Sequence, residues 1–381
     1  MLSYVDVVPN ETTRTTVVLV YWGIRGGGAR YTYEVARALA ESGDRNVVVS
    51  LNAANELLPL FRELAPRVAV DRRAFGGSPR SRAKAWLGLI PGPWSFGSWC
   101  RRTAGRDARV IVTMGNPLSL PMALTLRAAR MSFTHVVHDA RPHPGENSRL
   151  MVTSIRWAAR LASSLVALSE NVRAQMIDSW GVETTRITII PHGPFYAKEA
   201  KVARSRAGER TSPTGSNVLF LGRIAEYKGI GLLLDAWSLV TNPDARLTIA
   251  GHGDLSPWAG QLKTATNVVT DNRWLSDADI VRHISSADVL VLPYLEASQS
   301  GVIGIAHSFG VPVVCTDVGG LADQADPANG DIVVEGAAQA IVTAVEEVLA
   351  RPTRMTKVEL VDSWIDIAES LVHLSEPATR S

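Results

Sequence analysis

The sequence predicts an α/β protein made of two parallel-sheet domains, and three observations predict it. Short apolar runs alternate with amphipathic stretches of helical period, as βαβ units require. That alternation occurs twice, on either side of a stretch of Lys, Arg, Ser, Gly and Pro between residues 198 and 216. Each half also carries a connection between a strand and a helix that is rich in glycine or bears cations, and open α/β sheets bind ligands at such connections. A chain of 381 residues is long for one core and fits two such domains.

Taken in order, the first half has strand patterns at 16–21, 46–51, 68–70, 109–114, 135–137, 165–168 and 187–190, with helices at 31–40, 151–161 and 172–180 among them. The second half restarts with strands at 217–221, 246–250, 267–270, 289–292, 312–315 and 332–334. A last helical pattern at 361–371 follows Pro352 and fits against either domain. The expected organisation is a first Rossmann-like domain at 1–198, a linker at 199–216, a second domain at 217–360, and a C-terminal helix and tail at 361–381. Two such sheets joined by a short linker would leave a cleft between them.

Composition narrows the function. Hydrophobic residues make up 46% and charged residues 20%, as in a globular protein. The net charge of +2 gives no case for a nucleic-acid partner. Cys100 and Cys315 lie far apart, without metal or redox spacing, which fits a reducing compartment. The polar start of the chain lacks a secretory core, and no segment supplies about 18 uninterrupted apolar residues. The expectation is a cytoplasmic protein whose membrane contact, if it has one, is peripheral at the inner face of the cell membrane.

The segment Gly222-Arg223-Ile224-Ala225-Glu226-Tyr227-Lys228-Gly229 follows the apolar run from Val218 to Leu221. It precedes a helical pattern of Ile230, Leu233, Leu234, Trp237 and Val240. Arg223 and Lys228 thus sit in a strand-to-helix connection, where the helix N-terminus adds partial positive charge and a diphosphate would be held. Two exposed surface cations are the alternative. The first half has Gly23-Ile24-Arg25-Gly26-Gly27-Gly28 in the equivalent place. Its glycines would let backbone amides approach an anion or sugar, or simply make a tight turn. Their spacing is not the dinucleotide fingerprint, and Val49-Ser50-Leu51-Asn52 ends without an acid, so a nicotinamide or flavin cofactor is not expected.

Further along come Leu247-Thr248-Ile249-Ala250-Gly251-His252-Gly253, Ala287-Asp288-Val289-Leu290-Val291-Leu292-Pro293-Tyr294, Ser308-Phe309-Gly310-Val311-Pro312-Val313-Val314 and Thr316-Asp317-Val318-Gly319-Gly320-Leu321. With the Gly222–Gly229 segment these five ordered motifs resemble the C-terminal half of retaining glycosyltransferases of family 4, which have the GT-B fold of two facing Rossmann-like domains. Val137-His138-Asp139, Pro142-His143-Pro144-Gly145, Leu168-Ser169-Glu170 and Ile190-Pro191-His192-Gly193 extend the likeness through the first half; it is weakest from 71 to 107.

The resemblance implies a metal-independent hexosyltransferase that moves a sugar, with retention, from a UDP- or GDP-linked donor to a hydroxyl of a glycan or lipid-linked acceptor. The nucleotide-sugar is a co-substrate; no separate cofactor is implied. Arg223 and Lys228 correspond to the pair that neutralises the leaving diphosphate, and His138 to a histidine near the reacting centre. The donor side would include Gly27, Gly28, Gly251, His252, Glu296, Ser298, Gln299, Ser300, Gly301 and Val302, the acceptor side Gly26, Asp139 and His143. One hallmark departs. Where the family's second glutamate holds the donor ribose, this chain has Ile305 or, with one gap, Ala306, and Glu296 is a shifted substitute. That departure keeps open a catalytically silent nucleotide-sugar-binding homologue. Asp277-Ala278-Asp279 follows Ser276 and starts an apolar-periodic segment, which makes it a capped helix start rather than a metal site.

From about 72 to 109 an insertion carries Arg72, Arg73, Arg80, Arg82, Lys84, Arg101, Arg102, Arg106 and Arg109 around Trp86, Trp94, Phe96 and Trp99, offset by Asp107 alone. Pro91-Gly92-Pro93 predicts a helix, a turn and a second short segment. Such a surface suits an anionic membrane; tryptophans packed on the first domain are the alternative.

Overall fold

The computed structural model describes residues 14–75, 79–87, 92–141, 149–207, 216–351 and 363–375. These form two compact units, the first taking the residues up to Gly193 and from Ser363 on, the second those from Pro194 to Arg351.

The first unit is built on seven parallel strands: β1 (Thr16–Tyr21), β2 (Asn46–Asn52), β3 (Val68–Arg73), β4 (Arg109–Val112), β5 (Phe133–Val137), β6 (Ser164–Ala167) and β7 (Ile187–Ile189). Its helices are α1 (Gly27–Ser42), α2 (Leu58–Glu63), α3 (Pro79–Trp86), α4 (Phe96–Thr103), α5 (Ser119–Ala128), α6 (Arg149–Leu161) and α7 (Glu170–Trp180). The strand order β3-β2-β1-β4-β5-β6-β7 reverses direction between β1 and β4, the switch point at which open sheets take ligands. Val18, Val20, Val110, Val112, Phe133 and Val137 share a core with α4 to α7. By the two-residue alternation of a strand, Val17, Leu19 and Ile111 face the other way, where α1 packs with the C-terminal helix Trp364–Leu374.

The second unit repeats the plan with β8 (Ser216–Leu221), β9 (Ala245–Gly251), β10 (Val268–Asn272), β11 (Val289–Leu292), β12 (Val313–Thr316) and β13 (Ile332–Val334), all parallel. Its helices are α8 (Ala197–Ala207), α9 (Ile230–Trp237), α10 (Ala259–Thr264), α11 (Asp277–Ser286), α12 (Gly301–Phe309), α13 (Leu321–Gln324) and α14 (Ala338–Ala350). The order β10-β9-β8-β11-β12-β13 puts its switch point between β8 and β11.

One assignment changes and two open alternatives are decided. The stretch assigned to a linker begins as helix α8, which packs on α11 and α12, and Ser216 already belongs to β8. Ala200 is buried and the Tyr196 hydroxyl donates to Asp277 Oδ1 at 2.7 Å, so a few small and aromatic contacts among many charges anchor a segment whose composition reads as loose. The C-terminal helix starts at Trp364 and packs with α1, tied by Arg45 to both oxygens of Glu369 at 2.6 and 2.7 Å. It is therefore part of the first unit. In the basic segment, Phe96 and Trp99 are core residues, and the Arg73 guanidinium stacks 4.9 and 4.6 Å from their ring centroids. Trp99 is thus closed to a membrane, whereas Trp94 is exposed with its indole N–H donating to the Ala85 carbonyl at 2.9 Å. Among the described residues no helix is long and apolar enough to cross a membrane.

Candidate functional site

In the second unit, two loops meet at the switch point. The first, Gly222 to Gly229, leaves β8; the second, Pro293 to Ser300, leaves β11. The Leu295 N–H donates to the Tyr227 carbonyl at 2.8 Å, which joins them. Gly229 has φ 71°, and a Cβ there would run into the Pro293 carbonyl, so only glycine allows the backbones this approach. Gly251, at φ 149°, does the same for β9: its Cβ would strike the Gly222 carbonyl oxygen. The Ile224 N–H then donates to the His252 carbonyl at 3.0 Å, and the loops after β8 and β9 run in register. His252 contributes through its backbone, its side chain being exposed.

Arg223 is exposed on this rim and Lys228 is half-buried. Lys228 Nζ lies 3.6 Å from the centroid of the Tyr294 ring and 5.1 Å from that of Tyr227, which holds the ammonium over π faces rather than letting it sweep solvent. Tyr294 is buried, its hydroxyl 3.3 Å from Ser300 Oγ and its carbonyl accepting from Thr316 Oγ1 at 2.6 Å. Burial pushes its phenol up to about 12. Ser300 precedes α12 without capping it through its side chain. Instead Gln324 grips the Ser300 peptide, accepting its N–H at 2.7 Å and donating to its carbonyl at 3.3 Å. The N-terminus of α12, at Gly301 and Val302, thereby keeps its partial positive charge on the side of the Lys228 loop. Gln299 Oε1 is buried with no hydrogen-bond partner, an amide that a ligand could satisfy. Ser298 is buried, while Glu296 is exposed, its backbone N–H turned to Tyr227 at 3.4 Å. Ile305 and Ala306 are both buried apolar residues, so no carboxylate stands at either aligned position.

Asp277 and Asp279 open α11 as a capping box in which Ser276 Oγ accepts from the Asp279 N–H at 3.2 Å. Asp279 is also forked by Arg273 at 2.7 Å, and its carboxyl is held well below the usual range by that guanidinium first, then by Ser276 and Arg282.

In the first unit the loop after β1 reaches α1 through Gly26, at φ 88°. Its N–H donates to Glu56 Oε1 at 2.7 Å. Gly27 faces open space, whereas a Cβ on Gly28 would meet the Met114 sulfur and the Tyr21 ring. Gly27 is therefore where something could approach, and Gly28 is a packing residue. His138 directly follows β5 and crosses to the neighbouring loop, with Nε2 2.8 Å from the Thr113 carbonyl. A carbonyl only accepts, so Nε2 carries the hydrogen and, in the neutral ring, Nδ1 is the basic nitrogen. Burial lowers the His138 pKa, opposed by the Thr113 carbonyl and by Asp139. The ring also packs edge-on to Tyr31 at 5.1 Å, and Tyr31 to Trp364 at 5.4 Å. Gly193 admits the Trp364 ring at a spot where a Cβ would clash. His192 is lowered to about 4, chiefly by burial. His143 lies outside the described residues.

Sequence reasoning missed Tyr294 and Gln324, which set the Lys228 loop and the α12 start, and Thr113, Tyr31 and Trp364, which set His138. Tyr294 was legible as the aromatic ending a buried strand; the others are distant in sequence and carried no local signal.

Comparison with known proteins bears on both units. The family pattern for Glycosyl transferases group 1 matches residues 215–351, and that for Glycosyl transferase 4-like domains matches residues 26–193. The chain is 27% identical over 367 residues to the D-inositol 3-phosphate glycosyltransferase of Geodermatophilus obscurus, covering 86% of this chain and 79% of that protein. It is 32% identical over 160 residues to the phosphatidyl-myo-inositol mannosyltransferase of Mycobacterium tuberculosis, covering 40% of each. Among solved structures, Anabaena HepE in complex with UDP and glucose superposes with a TM-score of 0.72 at 15% identity, over 94% of this chain and 99% of that one. Sucrose-phosphate synthase of Thermosynechococcus elongatus gives 0.68 at 18% identity, over 95% and 94%. These likenesses show the GT-B fold.

Proposed function

The chain belongs to the group 1 glycosyl transferases, and from that premise we propose that it transfers a hexose from a UDP- or GDP-sugar to a hydroxyl of a glycan or lipid-linked acceptor, with retention of anomeric configuration and without a metal. The observation that carries this is the double loop at the second switch point: Lys228, in the loop that also bears Arg223, lies over Tyr294, whose hydroxyl reaches Ser300 at the start of α12, next to the buried and unsatisfied Gln299 Oε1. It supports a diphosphate site by charge and by backbone donors. The donor binds here, its phosphates on Arg223 and Lys228 and its sugar or ribose hydroxyls on Gln299 and the Ser298–Ser300 segment in place of the family's glutamate.

The bond between the anomeric carbon and the phosphate oxygen breaks, and its electron pair goes to the leaving diphosphate. The two cations stabilise that growing charge without reorganising. The acceptor oxygen attacks from the same face and its proton passes to the departing phosphate. His138, neutral and with Nδ1 basic, is assigned to the reacting centre as in the family it resembles; Gly26 and Asp139 belong to the acceptor side and Gly27 to the donor side. The relatives named for inositol substrates support adding D-inositol 3-phosphate and phosphatidylinositol to an acceptor panel.

The test is release of nucleoside diphosphate from a panel of UDP-, GDP- and ADP-sugars, with thermal shift run in parallel. One donor is expected to stabilise the protein and to be turned over, with turnover lost by about 10²-fold or more in Arg223→Ala/Lys228→Ala. If no donor raises the melting temperature and none is turned over, the donor site is wrong.

A further inference from the structure

We infer that the outer face of the helical layer α3 to α6 docks on an anionic lipid membrane. This names a partner for the enzyme proposed above and rests on that reading only for the lipid-linked acceptor. Helices α3 to α6 hold nine of the chain's 39 Lys and Arg and none of its 37 Asp and Glu. In a chain of net charge +2 this is a local concentration of one sign, carried on helices that lie side by side; Arg80, Lys84, Arg102 and Arg127 are exposed, whereas Arg101 and Arg160 also donate to the Ala129 and Trp180 carbonyls and the Arg156 Nε is buried. The Gly97 N–H on α4 donates to Thr125 Oγ1 on α5 at 3.1 Å, and the Leu120 N–H on α5 to Ser154 Oγ on α6 at 3.0 Å. The Trp94 indole ties the turn before α4 to α3.

The same layer projects large apolar groups into water. Leu87 is 65% exposed, Leu124 43%, Leu150 48%, Trp157 48% and Trp94 42%. They are ordered on the helices: Leu150, Thr153 and Trp157 recur at i, i+3 and i+7 on the exposed side of α6, and Leu124 and Arg127 at i and i+3 on that of α5. Arg160 lies 4.8 Å from the Trp157 ring, a cation beside an aromatic anchor. Tryptophan and leucine gain by entering the boundary between headgroups and acyl chains, while arginines find lipid phosphates. Leucine side chains do not stack on bases, so the mixture favours lipid over nucleic acid.

The experiment is flotation of the full chain with vesicles of phosphatidylcholine alone and of equimolar phosphatidylcholine and phosphatidylglycerol, in low salt and in about 1 M salt, where the screening length falls to about 3 Å. The protein is expected to float with the mixed vesicles in low salt, weakly in high salt, and not with phosphatidylcholine. Arg102→Glu/Arg127→Glu and, separately, Leu124→Ser/Trp157→Ser should each reduce binding by about tenfold. Both replace exposed groups, so an unchanged melting temperature and unchanged donor turnover confirm intact folding. A protein that stays unbound, that binds both vesicles alike, that binds an acidic polymer such as tRNA but no vesicle, or whose folded variants bind like the parent overturns the inference. The donor assays separate the two claims: flotation with no donor either turned over or raising the melting temperature leaves the membrane face standing and removes the enzymatic reading.

Discussion

At the scale of single residues, Lys228 shows how a cation is made useful by what lies under it. Its ammonium rests 3.6 Å from the Tyr294 ring centre, and Tyr294 is in turn fixed through Ser300 and Thr316. A cation–π contact of this kind contributes roughly 0.5 to 2 kcal/mol. Tyr294→Leu is therefore expected to lower kcat/KM for the donor by about 2- to 30-fold, while Tyr294→Phe, which keeps the ring, stays near the parent value. Equal losses in the two variants would show that the hydroxyl, not the ring, matters. The buried His135 predicts a pH effect on stability. Burial, then the neighbouring His138, lowers its pKa to about 4, and both of its ring nitrogens lack hydrogen-bond partners. The unfolded chain binds this proton near the ordinary value of about 6.5. Between the two values only the unfolded chain is protonated, so stability falls as pH drops from about 6.5 towards about 4 by about 1.4 kcal/mol per pH unit, and is indifferent to this group above it. Urea unfolding across that window should show a shallower fall for His135→Leu than for the parent; parallel curves would contradict it.

Among elements, the junction of β3 with α4 carries the largest single stake. Arg73 Nε donates to the fully buried Asp71 at 2.6 Å, Ser50 Oγ donates to the same oxygen at 2.8 Å, and the Trp22 indole donates to Ser50 at 3.1 Å. The guanidinium is also the surface on which Phe96 and Trp99 stack. Removing one partner of a buried pair costs about 3–5 kcal/mol. Arg73→Ala should lose that much by urea midpoint at constant slope, and a loss below about 1 kcal/mol would mean the pair is solvated. Since Trp22 leads directly into the glycine loop after β1, this buried chain also sets where that loop begins. The basic residues of the segment thus divide by burial: Arg73 is structural, while Arg102, like Arg127 on the neighbouring α5, is exposed.

For the whole molecule, two copies of one plan divide the labour proposed here, with donor chemistry on the second unit and acceptor chemistry on the first. Attack from the leaving-group face predicts that the product keeps the donor's anomeric configuration. Proton NMR of early product, read before mutarotation or hydrolysis, checks it; an inverted anomer would rule out the proposed mechanism. With buried apolar Ile305 and Ala306 at the aligned positions, the proposed donor site assigns ribose hydroxyls to the Ser298–Ser300 segment or to backbone.

By itself the sequence determined the α/β class, the two sheets, the positions of most strands and the cation-bearing loop with Arg223 and Lys228. Those signals are local: apolar runs, glycine at sharp connections and the two periodicities can be read within a few residues. Only the tertiary structure decided that α8 joins the second unit, that the C-terminal helix joins the first, and that Trp99 is core while Trp94 and Trp157 are exposed. It alone brought Gln324 to Ser300 and Thr113 to His138. Such contacts depend on which strands become neighbours and which helix face finds a partner, and parallel pairing joins segments tens of residues apart with no mark on either one.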